Sequence, residues 1–249
     1  DACSRAQVLL ERVLPSWGDF FRTTLHMEGA YCAVYLDPRP ETAGRLLESL
    51  EPVDLPGTMR FIARSVRGEL ELTRGNVRTA ALIQRVSLRY AGNWRSILGS
   101  GSQWELYILS MCLVTDVELS PDDAVELDAG AIRARATSLL REILSDPAPR
   151  QRDIPTLMAF AAAVGLSAVA AEDAGPDRRA VGAELVATAL AVGTNQTCRL
   201  LSHDYLRSRT ERLDALALAQ AEERIRSLDR GGLVVHAADL AGRLAGEVG

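Results

Sequence analysis

Ile154-Pro-Thr-Leu-Met-Ala-Phe-Ala-Ala-Ala-Val-Gly-Leu-Ser-Ala-Val-Ala-Ala171 carries no charged side chain. It is longer than an ordinary strand, and Ala and Leu favour helix. Helical winding spreads its apolar side chains around every face, so it reads as a helix enclosed by other helices. The rest of the chain agrees. Ala, Leu, Arg and Glu dominate, aromatic residues make up only 5% of the sequence, and no stretch alternates polar and apolar in the manner of a strand. The expected fold is all-α, a single helical bundle of about ten helices spanning residues 1–249, with no internal repeat.

Pro and Gly punctuate the remaining segments. Residues 4–14 read as a short helix stopped by Pro15, and Trp17 to Leu36 as a second. A turn at Asp37-Pro-Arg-Pro40 starts a helix running to about Leu50. Helices follow from Thr58 to Leu72 and from Asn76 to Ile97, with Gly75 as the C-cap between them. Gly99-Ser-Gly-Ser102 is the most flexible composition in the chain and precedes an apolar helix from Gln103 to Val114. Ser120-Pro-Asp-Asp123 is a helix start, and the helix is expected to reach Leu144 before Pro147 and Pro149. After the apolar helix, Gly175-Pro176 opens one long helix, apolar from Val181 and continuing to Leu213. Two further helices, split by Gly231-Gly232, finish the chain.

Composition removes several classes of function. All 28 basic residues are arginine, which fits a G+C-rich bacterial genome and excludes both Schiff-base lysine chemistry and a phosphate-loop lysine. A net charge of −5 argues against a nucleic-acid footprint. Cys3, Cys32, Cys112 and Cys198 lie far apart without a zinc-ligand spacing, and Cys32 and Cys112 read as buried thiols. With no secretory leader and no membrane-length apolar run, the expectation is a cytoplasmic protein without integral membrane contact.

Chemistry-bearing side chains gather in Arg199-Leu-Leu-Ser-His203-Asp204-Tyr-Leu-Arg207-Ser208-Arg-Thr-Glu211. On a helix, Asp204 and Glu211 are seven positions apart and point nearly the same way, with Ser208 beside them. Two carboxylates and a hydroxyl supply the oxygens a hard cation such as Mg²⁺ prefers. Arg199 and Arg207 flank His203 and could clamp a phosphate bridged by that cation. The plain alternative is a solvated helix end carrying local ion pairs. Asp116 and Glu118 follow directly on the apolar helix, so they could face the mouth of a bundle or serve only as helix-end polar groups. Asp37 and Glu41 fit a turn, while His26 and His236 read as structural.

His203-Asp204-Tyr-Leu-Arg207-Ser-Arg-Thr-Glu211 resembles the Asn-Asp-x-x-Ser-x-x-x-Glu motif of class I terpene synthases, with His for Asn and Arg for Ser. A second register places Asp204 and Ser208 on the Asn and Ser positions, with Glu211 one residue early. Ile154-Pro-Thr-Leu-Met-Ala-Phe160 is similar to the Pro-Thr-x-x-x-Tyr segment upstream of that motif. Trp104 to Asp116 resembles the apolar helix that ends in the family's aspartate-rich motif. The resemblance is divergent and covers about residues 104–245; the chain has no Asp-Asp-x-x-Asp.

The resemblance implies an isoprenoid-synthase-like helical fold and a carbon–oxygen lyase that ionises and cyclises a prenyl diphosphate, a small-molecule substrate. It implies Mg²⁺ as cofactor, held by Asp204, Ser208 and Glu211 with Asp116 and Glu118 opposite. Arg199, Arg207 and His203 would be the catalytic and diphosphate-binding groups. Separately from the resemblance, the protein could be a homodimer. The competing expectation is a non-catalytic helical protein that binds a ligand or acts as an interaction scaffold.

Overall fold

The computed structural model describes residues 19–35, 39–51, 57–93, 103–145, 153–194 and 198–246. Among them are eleven α-helices, one 3₁₀ turn and no strand, so the fold is all-α. In chain order the helices are α1 (Asp19–Tyr35), α2 (Pro40–Glu48), α3 (Gly57–Thr73), α4 (Val77–Asn93), α5 (Gln103–Asp116), α6 (Pro121–Glu126), α7 (Ala129–Leu144), α8 (Ile154–Ala170), α9 (Pro176–Val192), α10 (His203–Ile225) and α11 (Arg230–Gly246). The chain divides into two compact units, residues 1–90 and 91–249. The expected helix at 4–14, the Gly99–Ser102 loop, the Asp37-Pro38 part of the early turn, and Pro147 and Pro149 lie outside the described residues.

In the first unit, α1, α2 and α3 close around Met27, Ala30, Val34, Ala43, Leu47, Leu50, Val66 and Leu70. The junction between α3 and α4 is built from local sequence. Gly75 adopts φ +81°, a conformation that favours glycine, and lets the Asn76 N–H reach back to the Glu71 carbonyl at 2.8 Å. The buried Glu71 carboxylate accepts from Asn76 Nδ2 at 2.8 Å and from Arg74 at 3.2 Å, which fixes the turn.

In the second unit α8 is the central helix, packed by α5, α7, α9 and α10. Met158, Phe160, Val164 and Leu166 on it are all enclosed. Each such side chain contributes about 1.5–3 kcal/mol through removal from water. The partner packed most extensively is α9, and the two helices meet at paired glycines. A Cβ on Gly165 would stand 2.6 Å from the Gly182 carbonyl oxygen, and one on Gly182 would stand 2.7 Å from the Gly165 carbonyl oxygen. Backbones this close leave no room for any side chain at the crossing.

Two expected helices are broken. The stretch from Val181 to Leu213 is two helices, because Gly193 takes φ +108° after α9 and Ser202 adopts an extended backbone. The Ser202 hydroxyl accepts from the Tyr205 N–H at 3.3 Å and starts a new helix. The helix expected from Ser120 to Leu144 does begin with Ser120 capping Asp123. It then stops where Asp128 enters the left-handed region (φ 53°) and its side chain caps α7 through the Ala131 N–H.

The last break, expected at Gly231-Gly232, falls just before them at 226–229, since both glycines lie in the first turn of α11 and Asp229 caps it through the Gly232 N–H at 2.7 Å. Next to the expected helix end at Leu213, α10 bends at Asp214 (φ −158°, ψ 82°), whose carboxylate caps the second half through the Ala217 N–H at 2.9 Å. The bend lets Arg207 and Glu222, fifteen positions apart, pair at 2.6 Å. A straight helix would hold their Cα atoms about 22 Å apart.

The glycine crossing gives the first test. Gly182→Ala gains helix propensity but forces α8 and α9 apart, and its unfolding free energy in urea should fall by about 1–3 kcal/mol. Gly242→Ala is the contrast: nothing lies within 4 Å of the new methyl. That variant should be more stable, by up to about 1 kcal/mol.

Candidate functional site

The first half of α10 carries most of the residues singled out by the sequence. Asp204 and Glu211 are exposed, and half-buried Ser208 donates its hydroxyl hydrogen to the Tyr205 carbonyl at 3.2 Å. Arg199 is exposed on the 3₁₀ turn Arg199–Leu201. His203 is used locally, its Nε2 accepting from the Thr194 N–H at 3.4 Å, so it ties the connection after α9 to the head of α10. Arg207 is engaged with Glu222.

The two carboxylates at the end of α5 go separate ways. Glu118 reaches α10: Tyr205 Oη donates to its Oε1 at 2.6 Å, and Arg209 Nε lies 2.9 Å from the same oxygen. Arg209 Nη2 also donates to the Val117 carbonyl at 3.1 Å. Burial first, and the Glu118 carboxylate second, push the Tyr205 hydroxyl far above the usual phenol range, so it remains a donor.

Asp116 instead lines a groove of about 470 Å³ formed by α5, α6, α7, α8 and the turn after α8. Leu113, Val117, Ala124, Val125 and Ala170 make its apolar wall. Asp116, Asp128, Glu172 and Asp173 surround it with carboxylates, and Arg133 pairs with Asp173 at 3.5 Å. No residue of α10 lines this groove. The structure therefore joins Glu118 to the Asp204 helix and places Asp116 in a separate hollow. Among the described residues no group of three or more His, Cys, Asp or Glu side chains could hold a metal ion.

Two features escaped the sequence reading. Tyr205 and Arg209 stand inside the quoted motif, but their role depends on a residue far away in the chain. The second is Glu184, a lone carboxylate in the otherwise apolar middle of α9. It is buried and takes Arg224 of α10 through Nε at 2.8 Å and Nη2 at 2.7 Å, and His236 of α11 at 2.8 Å. A charge inside an apolar run signals a buried partner, and that signal was available in the sequence.

Burial pushes the Glu184 carboxyl up, but the hydrogen bonds and charges of Arg224 and His236 outweigh it and leave the group below its ordinary range. Because the folded value is the lower one, this cluster stabilises the protein fully above the ordinary carboxylate range. The contribution is lost as pH falls through the depressed folded value. Unfolding free energy measured from neutral to acid pH should drop more steeply for the wild type than for Glu184→Gln, which cannot ionise.

Of the cysteines expected to be buried, Cys112 is buried and Cys32 is partly exposed; Cys198 is buried as well. No helix among the described residues is long and apolar enough to cross a membrane. In comparisons with known proteins, no family model, no curated protein and no solved structure matches the chain.

Proposed function

We propose that the protein is a divergent enzyme of class I terpene synthase type, acting on a prenyl diphosphate at the first half of α10. The observation that carries this reading is the meeting of two distant acidic segments. The end of the apolar helix α5 is tied through Glu118 to Tyr205 and Arg209, beside the face that bears Asp204, Ser208 and Glu211. That donor set suits Mg²⁺, which takes one or two carboxylates and completes its shell with water and substrate phosphates. Asp204, Ser208 and Glu211 would hold it, and bound there the ion would supply neutralisation of diphosphate charge.

The chain's own groups account for the rest. Arg199 can reach an anion from its exposed turn, and Arg207 can share its guanidinium between Glu222 and a phosphate oxygen. The enclosed side chains of α5 and α8 would exclude water from a reactive cation, as that chemistry requires.

A second reading, a non-catalytic helical binding protein, is favoured by a different observation. Asp204 and Glu211 face solvent, Arg207 and Arg209 already have local carboxylate partners, and the groove at Asp116 lies apart from α10.

Incubation with geranyl, farnesyl and geranylgeranyl diphosphates, with and without Mg²⁺, separates the two. The enzyme should give hydrocarbon or alcohol products only with Mg²⁺, reduced at least about 100-fold in Asp204→Ala. Neither product nor diphosphate binding would leave the binding-protein reading.

A further inference from the structure

Tyr205, Arg209 and Arg212 stand at successive turns of α10, on one face of the helix. The charges of Arg209 and Arg212 both act on the Tyr205 hydroxyl. Into this face projects Glu118, which belongs to no helix: it sits on the short connection between α5 and α6, where its N–H bonds to the Thr115 carbonyl at 3.0 Å.

The fit of Glu118 is incomplete. Arg209 Nε is fully enclosed and 2.9 Å from the Glu118 carboxylate, yet it lacks the alignment of a hydrogen bond and has no other acceptor. An enclosed donor without an aligned acceptor is costly, and an anion with more oxygens would satisfy it. Both members of the pair keep access to water, with side-chain exposures of 23% for Arg209 and 31% for Glu118. A partly exposed ion pair of this kind is weak and can exchange.

We propose that Tyr205, Arg209 and Arg212 form a binding site for a phosphoryl anion, and that Glu118 occupies it as an internal competitor. Glu118 supplies one carboxylate where a phosphoryl group brings three acceptor oxygens and more charge. Glu118 lies outside both flanking helices, so its side chain can leave the arginines by rotation alone. This assignment concerns anion binding without metal and stands apart from whether the chain turns over a prenyl diphosphate.

The test is calorimetric titration with pyrophosphate and with inorganic phosphate in the presence of EDTA. Removing the competitor in Glu118→Gln should tighten binding of at least one of them by about 10-fold or more. Adding Arg209→Gln to that variant should abolish the gain. In the wild type, saturating pyrophosphate should also change the ultraviolet absorbance of Tyr205, isolated by subtracting Tyr205→Phe. Binding to Glu118→Gln no tighter than to the wild type, or pyrophosphate binding that leaves the Tyr205 signal unchanged, would overturn the assignment. Mg²⁺-dependent turnover in the wild type alongside tighter metal-free binding by Glu118→Gln would support both it and the enzyme reading. Tighter binding with no turnover in any variant would sink the enzyme reading alone.

Discussion

At the crossing of α8 and α9, Gly165 and Gly182 put each helix's carbonyl oxygen where the other's side chain would begin. Close backbone approach sets the interaxial distance, and that distance determines how much of the α8 surface α9 can cover. With α9 seated, α10 and α11 pack against α9, while α5 and α7 pack against α8. The Glu184 cluster then becomes meaningful, because Arg224 and His236 reach one carboxylate only when α10 and α11 both lie against α9. A buried charge of this kind is expensive to leave unpaired and so selects one arrangement of three helices.

The breaks in the chain follow a shared logic. Ser120, Asp128, Ser202, Asp214 and Asp229 each accept a hydrogen bond from a backbone N–H three residues later, and each starts a helix or half-helix. Short polar side chains satisfy the orphan donors of a helix start, so the chain can turn without leaving buried N–H groups unpaired. The bend at Asp214 has the largest effect, since it brings Glu222 back to Arg207. A motif residue thereby gains a partner that helical spacing alone would have kept distant.

Around the first half of α10, polar geometry rests on one connection. The turn after α5 delivers Glu118 to Tyr205 and Arg209, and the Val117 carbonyl fastens the same guanidinium. Asp116, only two residues earlier, faces another hollow among the α5–α8 helices. The end of α5 thus divides its carboxylates between a paired cluster and an acidic groove, and adjacent sequence positions serve different surroundings.

The fold class was written in local chemistry. The uncharged run from Ile154 to Ala171, the cap at Ser120 and the glycine at Gly75 each dictate helix or turn from neighbouring residues alone, and each appears as expected. The partners of those helices depend on residues far apart in the chain. Asp204 and Glu211 share a face because helical winding requires it, whereas Glu118 meeting Tyr205, or Glu184 meeting His236, follows from how whole helices pack. The unbroken helix expected from Val181 to Leu213 failed for the same reason: apolar periodicity is short-ranged, and Gly193 and Ser202 end one helix and begin another where packing requires a turn. Sequence by itself determined which segments are helical and which side chains share a face. Only the tertiary structure decided which charges meet, because a buried carboxylate takes whatever donor the packed helices bring within reach.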